Sequence, residues 1–242
     1  MDGRNKSLIL SSIKYNDSAN IVTAYSLDGG RNSYVFYRGK GNRQAVKHVF
    51  VQPFSLVEMV VSQKKTGMLP RIKEIFPVLP MDGLLFNPLK TSIAVFLAEM
   101  LSRVLHDTER DPELFSFLEN SVRVLNFIEK GVANFHLAFL IQLTRFLGYY
   151  PNMEYADHMP CYFDVENGLF VSMPPMHPYF LSQDESRFFV QLMRMNYKNM
   201  HFFTLSRHER RTVLQQIMRY YQLHLPDFKE PRSLSVLQDL FE

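Results

Sequence analysis

Apolar positions recur in short, strand-like runs up to about Phe76 and at helical spacing beyond Pro80. Residues 8–13 form the first run, closed by the turn cluster Asn16-Asp17-Ser18. Residues 21–25 form the second, closed by Asp28-Gly29-Gly30, a hairpin signal. Tyr34, Phe36 and Arg38 then alternate with Val35 and Tyr37, and a glycine-rich basic loop follows over residues 38–43. Residues 49–51, 56–61 and 69–76 complete the series, and Pro53 predicts a break or an edge because it cannot donate to a central ladder. About five short strands with no helix-length crossover between them suit a small barrel better than a parallel sheet.

After Pro80 the pattern changes. Pro88 stands near a helix start, and Ile93, Phe96, Leu97, Met100, Leu101, Val104 and Leu105 fall on one face. Asp111-Pro112-Glu113 supplies a cap and a first-turn proline to a helix carrying Leu114, Phe115, Leu118, Val122 and Leu125, with Gly131 at its end. Residues 133–147 are apolar nearly all round, which predicts a buried helix stopped by Gly148 and Pro151. Ser182-Gln183-Asp184-Glu185 and Ser206-Arg207-His208-Glu209 read as capping boxes, and Leu234, Leu237, Leu240 and Phe241 predict a last helix. The expected fold class is α+β: a β-barrel over residues 1–80, then an all-α domain over 81–242 with an irregular, cysteine-poor insertion at about 149–181.

Charge follows the same division. Residues 1–80 hold 12 basic and 5 acidic side chains, a balance of +7; residues 81–186 stand at −8 and residues 187–242 at +4. The chain's net charge of +3 conceals this segregation. A basic module attracts polyanions, and nucleic acid is the commonest of them. The N-terminus lacks the apolar run of a signal peptide, and no stretch approaches the roughly 18 apolar residues of a membrane span. A cytoplasmic, membrane-free protein is expected.

Catalytic motifs are missing: there is no G-x-S-x-G, no H-E-x-x-H and no P-loop. The single cysteine, Cys161, excludes an intramolecular disulfide and any four-thiolate metal site. His158, His177 and Asp157 could join it at a metal only by converging in space, so zinc is not expected. What the N-terminal segment does carry is interleaving of cations with Tyr15, Tyr25, Tyr34, Phe36, Tyr37, Phe50 and Phe54. Cations track phosphates and exposed rings stack on bases. Half of the rings must face the barrel core; Tyr34 and Phe36 are expected to share the solvent side with Arg38.

In this setting the chain resembles the RecO family of bacterial recombination-mediator proteins. The N-terminal likeness lies in Ile13-Lys14-Tyr15-Asn16-Asp17-Ser18, Tyr37-Arg38-Gly39-Lys40-Gly41 and Val51-Gln52-Pro53-Phe54. It continues through Leu97-Ala98-Glu99-Met100-Leu101, Pro112-Glu113-Leu114-Phe115, Phe146-Leu147-Gly148-Tyr149-Tyr150-Pro151, Arg219-Tyr220-Tyr221 and Arg232-Ser233. The resemblance implies an OB-fold followed by a helical domain and a non-catalytic DNA repair function in the RecF pathway. It implies binding of single- and double-stranded DNA, annealing of complementary strands, and help in loading RecA, with RecR, onto DNA covered by single-strand-binding protein. Such a protein would act in the cytoplasm at the nucleoid. Many relatives carry a four-cysteine zinc module where this chain has only Cys161, so the metal does not carry over.

Two sets of site residues follow. DNA binding is expected at Arg31, Tyr34, Phe36, Arg38, Lys40, Arg43, Lys47, Lys64 and Lys65. The family further implies a pocket for the acidic C-terminal tail of single-strand-binding protein. Repulsion by the −8 segment directs that pocket to residues 187–242, at Arg219, Tyr220, Lys229 and Arg232. The competing reading is a non-catalytic adaptor whose barrel docks a protein partner and whose basic charge is incidental.

Overall fold

A computed structural model describes residues 4–37, 48–62, 67–105, 109–157 and 160–239. Five strands form its N-terminal part: β1 (Asn5–Lys14), β2 (Ala19–Ser26), β3 (Gly30–Tyr37), β4 (Leu56–Val61) and β5 (Ile72–Pro77). They pair antiparallel in the order β3-β2-β1-β4-β5. The two edge strands meet at one parallel bridge between Val35 and Arg71, where the Val35 N–H donates to the Pro70 carbonyl at 2.9 Å. A five-stranded, partly open barrel of this order is an OB-fold. Pro53 lies outside every strand, in the segment before β4, and the flanking backbone ties that segment to β1: the Phe54 N–H donates to the Ile9 carbonyl and the Ile9 N–H to the Ser55 carbonyl.

The sheet curls because one face of each strand is apolar and those faces need a common interior. Ile9, Val22, Ala24, Tyr34, Phe36, Val57, Met59, Ile72 and Ile75 fill it. Register decides which face of β3 turns inward: Tyr34 sits opposite Val22, and Phe36 opposite Asn20. Tyr34 and Phe36 are therefore core residues, 6% and 5% exposed, and the expectation that they face solvent is corrected. Strand side chains alternate strictly, so the apolar face of the neighbouring strand outweighs a single charge at the strand end. Arg38 itself lies outside the described residues.

By compactness the chain divides into two units, one of residues up to Ile128 together with Pro231–Leu240, the other centred on Glu129–Glu230. The change from strands to helices at Pro80 is not where compactness divides the chain, because the first helices pack on the barrel. These are α1 (Asp82–Leu85), α2 (Pro88–Val104) and α3 (Pro112–Phe127). Asn87 caps α2 through its side chain, and the Asp111 carboxylate caps α3 by accepting from the Glu113 and Leu114 amides at 2.9 and 3.0 Å. Glu119 on α3 accepts from Lys6 of β1 at 3.0 Å and from Arg123 at 2.7 Å, and the Lys6 pair ties helix to sheet.

In the other unit α4 (Phe135–Phe146) is the buried helix that the sequence predicts, flanked by α5 (Gln183–Met193) and α6 (Arg207–His224). Both capping boxes are present: Ser182 pairs with Glu185, and Ser206 with Glu209. The stretch read as irregular contains a small sheet of β6 (Tyr162–Asp164), β7 (Leu169–Val171) and β8 (Phe180–Leu181), in the order β7-β6-β8. The Phe163 N–H of β6 donates to the Ser186 hydroxyl of α5 at 2.7 Å, which docks the sheet on the helix. The last helix, α7 (Ser233–Asp239), belongs to the first unit and packs on α2.

Candidate nucleic-acid interface

The outer face of β2 and β3 is built from the alternate positions that the core leaves over. Tyr25 opposes Arg31, Thr23 opposes Ser33, Ile21 opposes Val35 and Ala19 opposes Tyr37. The chain itself covers one end of this face. The Tyr25 hydroxyl donates to the Glu109 carbonyl at 3.1 Å and accepts from the Asp111 amide at 3.0 Å, and its ring lies 6.5 Å from Phe115. The Arg31 guanidinium donates to the Leu105 carbonyl at 3.2 Å. Arg31 thus ties Leu105, the residue that follows α2, to the sheet.

The other end is open. Ile21 and Val35 are half-buried, and Tyr37 at the end of β3 is 47% exposed. The exposed Arg71, at the start of β5, sets its guanidinium carbon 4.5 Å from the centre of the Tyr37 ring. Among the described residues Arg71 has no carboxylate partner; the comparable pair at the start of β1, Arg4 over Phe76, has Glu58 at 3.6 Å. The β1–β2 turn lies at the same end as Tyr37: the Tyr15 N–H donates to the Ala19 carbonyl, and Ala19 pairs with Tyr37. Tyr15 is 69% exposed, and the Asn16 side chain shapes the turn by accepting from the Ser18 amide at 2.9 Å.

Of the expected DNA-binding residues, Arg38, Lys40, Arg43, Lys47, Lys64 and Lys65 lie outside the described residues. In the chain they belong to the connections that leave β3 after Tyr37 and enter β5 before Arg71. Tyr37 and Arg71 are additions to the expected set. The signal for Tyr37 is present in the sequence: once Tyr34 and Phe36 are assigned to the core, the odd positions of β3 must point outward.

The four residues expected at a tail-binding pocket are divided between the two units. Arg219 and Tyr220 on α6, with Lys229, belong to the second unit, whereas Arg232 belongs to the first. There the Arg232 amide donates to Glu99 at 2.9 Å. Tyr220 is buried, donates its hydroxyl to the Tyr149 carbonyl at 2.7 Å and borders an apolar cavity of about 20 Å³ with Ile141, Pro151, Phe189 and Met193. Arg219 is exposed and lies 5.2 Å over the ring of Tyr179.

Cys161 is buried, and burial pushes its thiol above the usual range. His177 turns instead to Asp164 and Glu166, each at 3.3 Å. Among the described residues no group of three histidine, cysteine or acidic side chains is arranged to hold a metal, and His158 lies outside them. The space around β6 is filled by rings: Phe163 stands 4.3 Å from Phe189, 4.9 Å from Phe170 and 6.2 Å from Tyr220.

Comparison with known proteins agrees with this architecture. Residues 1–80 match the family model "Recombination protein O N terminal", and residues 85–233 match "Recombination protein O C terminal". The DNA repair protein RecO of Phocaeicola vulgatus is 43% identical over 235 residues, covering 97% of each chain. The protein of the same name from Azobacteroides pseudotrichonymphae is 40% identical over 240 residues, covering 99% of each. That from Porphyromonas gingivalis is 32% identical over 98% of each chain. With both family domains matched in order on an OB-fold and a helical region, the chain belongs to the RecO family of DNA repair proteins.

Proposed function

We propose that the chain is a DNA-binding mediator of recombinational repair that performs no covalent chemistry. It holds single- and double-stranded DNA at the open end of the barrel and anneals complementary strands. With RecR, it helps load RecA onto DNA covered by single-strand-binding protein, in the cytoplasm at the nucleoid.

The observation that carries the reading is the exposed Tyr37 ring with Arg71 over it. A ring and a cation at one point offer a base a stacking surface and its phosphate a counter-charge. OB-folds bind oligonucleotides on the face of the second and third strands and on the loops joining strands one to two and four to five. Here the uncovered half of that face adjoins those loops, and the +7 segment supplies its cations. Arg38, Lys40, Arg43, Lys47, Lys64 and Lys65 supply phosphate contacts from the two connections, whereas Arg31 is engaged with the Leu105 carbonyl at the covered end. The acidic tail of single-strand-binding protein docks on the second unit, at Arg219 with Tyr179 and the exposed Leu223 and Lys229.

The test is fluorescence anisotropy of the full chain with labelled single-stranded and duplex oligonucleotides across a salt titration, beside a strand-annealing assay. Binding to both, with affinity falling linearly in the logarithm of salt, and accelerated annealing are expected. Failure to bind either oligonucleotide at low salt would leave the adaptor reading in possession of the barrel.

A further inference from the structure

A second exposed aromatic, far along the chain from the barrel strands, sits on a rigid pedestal among cations. Phe202 is 74% exposed, and the His201 ring lies 3.9 Å from it. Both belong to the 3-10 turn Met200–Phe202 of the second unit. Several contacts fix that turn from beneath. Met200 is fully buried, and the Asn134 side-chain amide donates to the Met200 and Phe203 carbonyls at 3.0 and 2.7 Å. Gly131, at φ +78°, runs so close to His201 that a Cβ there would meet its Cα at 2.9 Å.

The same asparagine brings in α6. Its Oδ1 accepts from Arg210 Nε at 3.2 Å, while another arm of that guanidinium donates to the Leu205 carbonyl at 2.9 Å. Arg207 and Arg211, four residues apart and exposed, share a face of the helix beside Arg210. Lys130 adjoins Gly131, Lys198 precedes the turn, and both are exposed. None of Lys130, Lys198, Arg207 and Arg211 is ion-paired with a described residue. Of the nearby acidic residues, Glu209 caps the Ser206 amide at 2.7 Å and Glu185 the Ser182 amide at 2.8 Å, while Glu129 flanks Lys130 in the chain.

We infer that this surface is a second contact for single-stranded nucleic acid, with a base stacked on Phe202 and His201 and phosphates met by Lys130, Lys198, Arg207 and Arg211. A turn already fixed in place loses little freedom when a base lies on the ring it carries, and stacking accepts any base. An acidic peptide would also be drawn by the cations. Its side chain would need a pocket, however, and the pedestal under Phe202 is closed by the buried Met200 and the Asn134 bonds. The inference rests on the DNA-binding reading of the chain and extends it. Two strand-binding surfaces on one chain keep two complementary strands at high effective concentration, which annealing requires.

The test uses the full chain with three variants: Phe202→Ala, Phe202→Tyr, and the pair Arg207→Gln with Arg211→Gln. The probe is a labelled oligothymidylate in a salt titration, beside an acidic peptide of the same label. Phe202→Ala is expected to weaken oligonucleotide binding about fivefold or more, and Phe202→Tyr to restore it. The arginine pair should make the salt slope shallower by about 1.4, at about 0.7 per phosphate contact on a single strand. Annealing should slow in Phe202→Ala and recover in Phe202→Tyr. Parental binding and slope in Phe202→Ala and in the arginine pair would overturn this surface and leave the barrel reading standing. Loss of peptide binding with the oligonucleotide unaffected would likewise overturn it, in favour of an acidic partner. A parent chain that binds no oligonucleotide would overturn both readings together.

Discussion

The Glu99 carboxylate on α2 caps α7 by accepting from both the Ser233 amide, at 3.0 Å, and the Ser233 hydroxyl, at 2.6 Å. The Arg232 amide and the Arg103 guanidinium complete the set at 2.9 and 2.6 Å. A seven-residue helix is too short to persist alone, so this cap, with the buried Leu234 and Leu237, is what seats it on the first unit. Glu99→Ala should cost about 1–3 kcal/mol and speed hydrogen exchange over residues 233–239 ahead of the rest of the unit. Burial alone would raise the Glu99 carboxyl, but the bonds from Ser233, Arg103 and Arg232 together bring it from 4.5 to about 2. With the folded value depressed, the cap contributes fully above about pH 4.5 and is lost as pH falls towards 2. The variant's stability deficit, measured by denaturant titration, should therefore shrink across that window.

Tyr25→Phe tests how the barrel and α3 are joined. The substitution keeps the ring against Phe115 but removes the hydroxyl that satisfies both the Glu109 carbonyl and the Asp111 amide. Stability should fall by about 1–3 kcal/mol, the cost of leaving such groups unpaired. Denaturant unfolding followed by far-UV circular dichroism measures it. A null effect would mean that water replaces the hydroxyl and that the covered half of the β2–β3 face is held by Phe115 packing and the Arg31 bond to the Leu105 carbonyl.

Much of this architecture is legible in the sequence wherever a local rule acts alone. The proline-led helices at Pro88 and Pro112 and the capping boxes at Ser182 and Ser206 lie where turn chemistry places them. Strands of three and two residues, as in β6 to β8, are too short to show a period, and five prolines disguise them as a loop. A charge at Arg38 points Tyr34 and Phe36 towards solvent on local pattern alone, whereas the apolar face of β2 decides the register and turns them inward. The return of α7 to the first unit depends on Glu99, more than a hundred residues upstream, which no local pattern announces. The candidate interface is half legible for the same reason: the cations stand in the sequence, while the Tyr37–Arg71 pair exists only once β3 and β5 meet.

Tyr37→Ala should weaken single-strand binding by about 1–3 kcal/mol, the usual worth of a stacked ring. Arg71→Gln should lower affinity for all sequences alike and make the salt slope shallower by about 0.7 on single strands. Replacing Arg38, Lys40 and Arg43 together should act in the same direction and about threefold further in slope. Anisotropy titrations at several salt concentrations read all three variants. Unchanged affinity and slope in both Arg71→Gln and the loop triple would remove DNA from this end of the barrel.

Gly168→Ala should destabilise the second unit for two separable reasons. Gly168 adopts φ +66°, a left-handed conformation that costs a residue with a Cβ about 1–2 kcal/mol. The added carbon would also stand 2.7 Å from the Tyr220 hydroxyl, which is bonded to the Tyr149 carbonyl. A second variant, Gly168→Ala with Tyr220→Phe, removes the clash and retains the backbone cost. Gly168→Ala is expected to cost less thermal stability in the Tyr220→Phe background than in the parent; an equal cost in both backgrounds would assign the whole effect to the backbone.

The small sheet beside Cys161 is packed round with rings. Phe163 of β6 is 1% exposed and touches three rings from three directions: Phe170 on β7, Phe189 on α5 and Tyr220 on α6. If these rings hold the small sheet on the helices, then Phe163→Ala should cost about 3–5 kcal/mol, as a large truncation in a packed core does. The parent protein, treated with a chelator, should keep its melting temperature, and elemental analysis should return far less than one zinc per chain. Cys161→Ser supplies the complementary arm. The thiol is buried, and burial raises it, so it should react slowly with a thiol reagent in the native state. The serine variant should then lose only the modest stability expected of a small buried group made more polar. One zinc per chain, released by Cys161→Ser together with a large fall in melting temperature, would show instead that Cys161 and nearby histidines converge on a metal and that the rings only surround it.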